Sequence, residues 1–265
     1  MTAKAEMQTL QQTDRWLLLL PIAADTLFGL GPFLLGGSFG ALFGFPGNDS
    51  FLYRCAGAAA FGYPVGLLLG LRQQRWSSLR LPIIATLTFN LASLFACVLE
   101  ILSGQAIPIV YVILLASLAV TAITVSLLRR YSDEPRPQPD ISQLLRYGLI
   151  LGGVLAGVFG VLPLLIPAQF SQLVGYKGTD VFVIREAGAA SLGYSVMAFL
   201  ALNSGVWQEV RIVTVMALIF NGLAVVASVI ALLGGDPIFI VALIGAAALF
   251  YTVMVLIALQ RNGKI

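Results

Sequence analysis

The chain has 265 residues, of which 59% are apolar and 10% charged, with a formal net charge of +3. Soluble domains carry about a quarter of their residues as charges, so lipid rather than water must be the solvent for most of these side chains. The cations are scattered and form no basic stripe, which excludes nucleic acid as a partner. The absence of histidine excludes histidine-ligated haem or chlorophyll, histidine zinc sites and histidine proton relays.

Residues 1–15 are polar and mixed in charge and lead into an apolar run long enough to span. This pattern predicts a cytoplasmic segment and a retained first helix, not a cleaved signal. A bilayer core about 30 Å thick requires about 20 mostly apolar residues per helix. Segments of that kind run over Trp16–Leu35, Phe51–Leu71, Leu81–Leu102, Ile107–Leu128, Tyr147–Ile166, Phe182–Leu202, Val210–Leu233 and Ile238–Leu259. None alternates strictly as a strand would. The predicted fold is an all-α, polytopic membrane protein of eight transmembrane helices.

Cations fall on one side of these spans. The N-terminus, alternate loops and the C-terminus hold Lys4, Arg15, Arg72, Arg75, Arg80, Arg129, Arg130, Arg136, Arg146, Arg211, Arg261 and Lys264. The opposite face holds only Arg54, Lys177 and Arg185. By the positive-inside rule both termini are cytoplasmic. Trp76 and Trp207 then suit anchoring at the cytoplasmic interface.

The chain also repeats itself. A shift of 131 residues carries Arg15 onto Arg146, Pro32 onto Pro163, Asp49 onto Asp180, Tyr63 onto Tyr194, Asn90 onto Asn221 and Gly104 onto Gly235, without a gap. The densest stretch is RCAGAAAFGY (Arg54–Tyr63) against REAGAASLGY (Arg185–Tyr194). The organisation is therefore a four-helix repeat over 16–130, a cytoplasmic linker over 131–145 and a second repeat over 146–265. The three prolines of YSDEPRPQPDISQ make the linker semi-extended. An even number of helices per copy predicts parallel repeats about an axis along the membrane normal.

After the first helix of each copy, GGSFGALFGFPGND and IPAQFSQLVGYKGTD are apolar but interrupted by glycine and proline. Each predicts a short interfacial helix and a tight Gly-x-Asp turn. Asp49 and Asp180 are expected to cap the next helices by accepting backbone N–H groups. Arg54 and Arg185, just over one turn further on, are expected to pair with those aspartates or reach the outer headgroups; an anion site is the sharper alternative. Glu186 is expected in a local ion pair with Arg185, and Glu100 near the outer interface. Ala58, Gly62 and Gly66, like Ala189 and Gly193, form small-residue faces for close helix packing.

The polar groups at mid-depth carry the most information. Asp25, Tyr63 and Asn90 share one depth, and Tyr194 and Asn221 recur in the second copy, where Ala156 replaces Asp25. An intramembrane carboxylate is a functional-site hypothesis by default. Either Asp25 is protonated and hydrogen-bonds Tyr63 or Asn90 as interhelical glue, or it titrates or binds a cation or polar ligand. The Tyr63/Asn90 and Tyr194/Asn221 pairs are expected to be structural hydrogen bonds. Cys55 and Cys97 read as membrane-buried thiols, with a disulfide between them as the alternative.

Arg54, Gly57 and Gly62, then Arg185, Gly188 and Gly193, place an arginine ahead of a small-residue stripe in one helix of each copy. In this, over the first two helices of each copy, the unit resembles the DoxX-like and related small four-helix bacterial membrane proteins. The resemblance implies a four-helix bacterial membrane unit without an assigned activity, here in tandem instead of single.

The sequence supplies no Ser–Lys pair, carboxylate pair or phosphate loop at a recognisable spacing, so neither catalysis nor a cofactor or metal is expected. The expected role is a structural or accessory subunit of a membrane complex. Its partners would be the bilayer and other membrane subunits or further copies of itself as a homo-oligomer. The alternative is a small-solute or ion-coupled transporter that uses a midplane Asp25 site. The expected location is the bacterial plasma (inner) membrane.

Overall fold

The computed structural model describes residues 9–45, 49–131, 138–174, 180–235 and 238–261. They fold into helices with no strand among them. The order is α1 (Gln12–Leu17), α2 (Leu19–Leu35), α3 (Gly37–Leu42), α4 (Ser50–Gln73), α5 (Trp76–Leu102) and α6 (Pro108–Arg130), then α7 (Gln143–Leu165), α8 (Pro167–Leu173), α9 (Val181–Ser204), α10 (Trp207–Leu233) and α11 (Ile238–Arg261).

Seven helices are long and apolar enough to cross a membrane: α1 with α2 as one stretch, α4, α5, α6, α7, α10 and α11. The remaining long helix, α9, has 24 residues, but Arg185, Glu186 and its small polar residues lower its hydropathy. Outward faces suit a lipid solvent. Leu27, Leu115, Leu165 and Phe250 are each more than half exposed, and large apolar side chains on the outer faces of so many helices suit hydrocarbon surroundings. The expected short helices are present as α3 and α8, six and seven residues long. The Gly-x-Asp turns (46–48 and 175–179) and most of the proline-rich linker (132–137) lie outside the described residues.

The packing crosses between the two halves of the chain. Helix α2 lies on α4 and α7 on α9, but α5 packs mainly on α9, and α10 packs on α4 about as extensively as on α11. Helices α6 and α11 cover the outer sides of α5 and α10, and α4 touches α9 at the centre. Close approach explains the tight pairs. A Cβ added at Gly29 would stand 2.8 Å from the backbone of Phe61, and one at Gly160 would stand 2.9 Å from that of Leu192. The same glycine, one repeat apart, makes the same helix contact.

One end of α2 is tied down by a polar clasp. Asp14 is fully buried, pairs with Arg130 and accepts from the Tyr131 hydroxyl at 2.6 Å. Burial first, and then the bond to Asp14, raise the Tyr131 phenol above its ordinary range. Trp76, expected as an interfacial anchor, is instead 1% exposed, its ring stacked on Tyr131 at 4.9 Å. The N-terminal segment packs over that indole and withdraws it from the interface.

Candidate functional site

At the centre, α4 and α9 exchange two equivalent hydrogen bonds. The Tyr63 hydroxyl donates to the Ala190 carbonyl, and the Tyr194 hydroxyl donates to the Ala59 carbonyl at 3.0 Å. The two bonds involve positions 131 residues apart in the sequence. The rings lie 5.0 Å apart, with Phe89 against Tyr63 and Phe220 against Tyr194, each also at 5.0 Å. Gly62 and Gly193 make the room, since a side chain at either would run into the opposite tyrosine. Asn90 and Asn221 each donate to a carbonyl one turn back, on Thr86 and Ala217, both at 2.8 Å. The Tyr63/Asn90 and Tyr194/Asn221 pairs expected to be structural hydrogen bonds are not bonded to each other: all four residues donate to backbone carbonyls, the asparagines within their own helices.

Asp25 is not joined to them. It is 5% exposed, and its Oδ2 has no hydrogen-bond donor. The expected bond to Tyr63 or Asn90 is not made: the Tyr63 hydroxyl donates to Ala190, and the Asn90 amide donates to Thr86 with its second N–H not directed to Asp25. Asp25 instead lines a cavity of about 90 Å³ between α2, α4, α5, α6 and α9, together with Asn90, Ser93, Ser117, Tyr53 and Glu186. A space of this size admits water, which needs only about 10–15 Å³ on the same measure. A buried carboxylate oxygen without a protein donor calls for a bound water, a proton or a cation.

Glu186 is the second carboxylate of this cavity, and sequence reading placed it elsewhere. Its carboxylate accepts from Ser93 at 2.9 Å, and Ser93 accepts from Ser117 at 3.2 Å. Among the described residues it has no ion pair with Arg185, which pairs with Glu100 of α5 at 3.1 Å. Adjacent residues point about 100° apart around a helix, so the two neighbours serve different surroundings. Asp49 caps α4 as expected, accepting from the Leu52 N–H at 3.0 Å. Asp180 makes no capping bond; its carboxylate accepts from the Tyr53 hydroxyl at 2.8 Å. The Arg54 guanidinium packs beside Gly36, where an added Cβ would stand 3.2 Å from it. Cys55 and Cys97 are free thiols.

A second cavity, of about 460 Å³, occupies the equivalent place in the other half, between α4, α7, α8, α9, α10 and α11. Shifted by one repeat, Asp25 becomes Ala156, Glu186 becomes Cys55, Ser93 and Ser117 become Ala224 and Ala248, and Tyr53 becomes Ile184. Phe89 and Asn90 keep their chemistry as Phe220 and Asn221. The frame is shared, while the acids and most of their donors stand on one side only. The equivalence of Glu186 with Cys55 was the available clue: an acid present in one copy and absent from the other, like Asp25.

Residues 107–263 match the family of unknown function DUF6790, and the chain belongs to that family. The match covers α6 and the whole second half of the fold. No match was found among curated proteins or among solved structures.

Proposed function

We propose that this multi-pass helical membrane protein moves protons or small cations, and that the cavity holding Asp25 and Glu186 is its site. The observation that carries this reading is the Asp25 carboxylate, 5% exposed, with Oδ2 buried and unpartnered, on a residue that lines the smaller cavity beside Glu186. Carboxylates that serve only as glue are matched to donors; this one is left for a positive charge to meet. Of the two roles expected from composition, transport is therefore preferred over an accessory subunit of a larger complex. The chain is proposed to act without a bound cofactor.

In this reading α9 is an eighth crossing, its polar residues sheltered by α5 and α7. The halves are parallel repeats about an axis along the membrane normal. The Tyr53–Asp180 bond supports this, since it sets the beginnings of α4 and α9 side by side. The cation bias of the sequence supports cytoplasmic termini in a bacterial plasma membrane. Asp25 then binds the incoming charge, Glu186 with its Ser93–Ser117 relay stabilises it, and the Tyr63–Tyr194 crossing is the point about which the halves rock.

The test is uptake into vesicles carrying purified protein, with a trapped pH dye for protons and radioactive sodium for cations, under an imposed potential. Expected is uptake by the native chain, its loss in Asp25→Asn, and a reduced rate in Glu186→Gln, with all three equally folded by thermal unfolding. Uptake that Asp25→Asn leaves undiminished, or no uptake by the native chain, overturns the proposal.

A further inference from the structure

We infer that the larger cavity is a binding site for a lipid-soluble ligand: a single hydrocarbon chain bearing one hydrogen-bond-accepting oxygen. Its volume of about 460 Å³ lies in the range of about 300–1,000 Å³ that holds small-molecule ligands. The polar side chains in its wall are largely consumed locally. The Ser171, Ser191 and Thr214 hydroxyls donate to carbonyls of their own helices at 2.8, 2.9 and 2.8 Å. Satisfied in this way, they present methylene and methyl groups and no vacant donor. Alanines stand where the other cavity has Asp25, Ser93 and Ser117, so a charged or strongly polar guest would find nothing to replace its water.

Tyr251 of α11 and Asn221 of α10 supply the exceptions. Tyr251 stands where the acidic cavity has Val120, and its hydroxyl bonds to no described residue, while the Asn221 amide keeps a second N–H beyond its bond to Ala217. So few donors in a hydrocarbon-lined space select a molecule with a single acceptor oxygen, such as a carbonyl, on an otherwise apolar body. The surroundings set the source. The cavity lies among helices whose outer faces are exposed leucine and phenylalanine, so the molecules that reach it are those dissolved in the bilayer. This inference does not rest on the transport reading; it concerns other residues and a different ligand.

The probe is laurdan, a fluorescent long-chain ketone that is uncharged and carries one carbonyl oxygen, titrated against the purified protein in a mild detergent and followed by fluorescence. Expected is saturable binding at one site per chain, weakened roughly tenfold or more by Ala156→Trp, which fills the cavity. Tyr251→Phe, which keeps the shape and removes the tyrosine donor, is expected to weaken it about threefold. Signal that does not saturate, or is equal in Ala156→Trp and the native chain, overturns the inference. Should Ala156→Trp fail to fold, the native chain provides its own reporter. Cys55 lines the cavity, whereas Cys97 is buried in the core, so saturating probe is expected to slow N-ethylmaleimide at Cys55 and leave Cys97 unchanged. An unchanged Cys55 rate overturns the inference.

Discussion

The two cavities share a frame and differ in chemistry. Around each stand the same proline, phenylalanine and asparagine positions, Pro32 with Pro163, Phe89 with Phe220 and Asn90 with Asn221. The acids Asp25 and Glu186 occupy one, and Ala156 and Cys55 occupy the other. The hydroxyls that serve the acids are missing with them, as Ala224 and Ala248. Polar groups in a membrane interior are thus lost or kept as sets, because an acid without its donors, or donors without an acceptor, costs more than either complete arrangement. The rim departs from this rule: Arg185 has Glu100, while its counterpart Arg54 is kept although the position equivalent to Glu100 holds Ala231.

The largest effect should come from erasing the difference. Building the acids into the apolar side with Ala156→Asp and Cys55→Glu is expected to cost about 5–7 kcal/mol in unfolding free energy, at roughly 2.5–3.5 kcal/mol per mid-membrane carboxylate. A double variant as stable as the native chain would show that the donors are unnecessary. Next is Glu100→Ala, which strands Arg185 in a setting where the paired side chains are 16% and 10% exposed. About 3 kcal/mol should be lost, and Arg185→Met added to it should recover most of that loss. Smaller are Tyr63→Phe and Tyr194→Phe, about 1 kcal/mol each and equal within error if the crossing is as symmetric as its bonds. The smallest is a gain. Gln74 ends α4 with φ 57°, where the second half has Gly205 at φ 63°, so Gln74→Gly should raise stability by about 0.5 kcal/mol, measured by chemical unfolding.

Much of this was legible before any coordinates. Span length and apolarity located the long helices, and the 131-residue shift identified Tyr63 with Tyr194 and Asn90 with Asn221 as matched pairs. Asp25 was recognisable from its depth alone. Its partners were not. Sequence proximity suggested Arg185 for Glu186, Asp49 for Arg54 and Tyr63 for Asp25, yet the decisive neighbours come from helices far along the chain, as Ser93 does for Glu186 and Glu100 for Arg185. Periodicity reports which face of a helix is apolar and says nothing of which helix covers it. The crossed packing of α5 on α9 and α10 on α4 is where that information was missing. Hydropathy also understated α9, because a helix enclosed by protein is free to be more polar than one facing lipid.

That crossed packing bears on how the chain is assembled. Helix α5 is covered on one side by α6 and on the other by α9, and α10 by α11 and α4, so a polypeptide severed between α6 and α7 would leave two fragments that must find one another before either is complete. On this single interlocked scaffold the chain keeps a charged interior on one flank, around Asp25 and Glu186, and an oily one on the other.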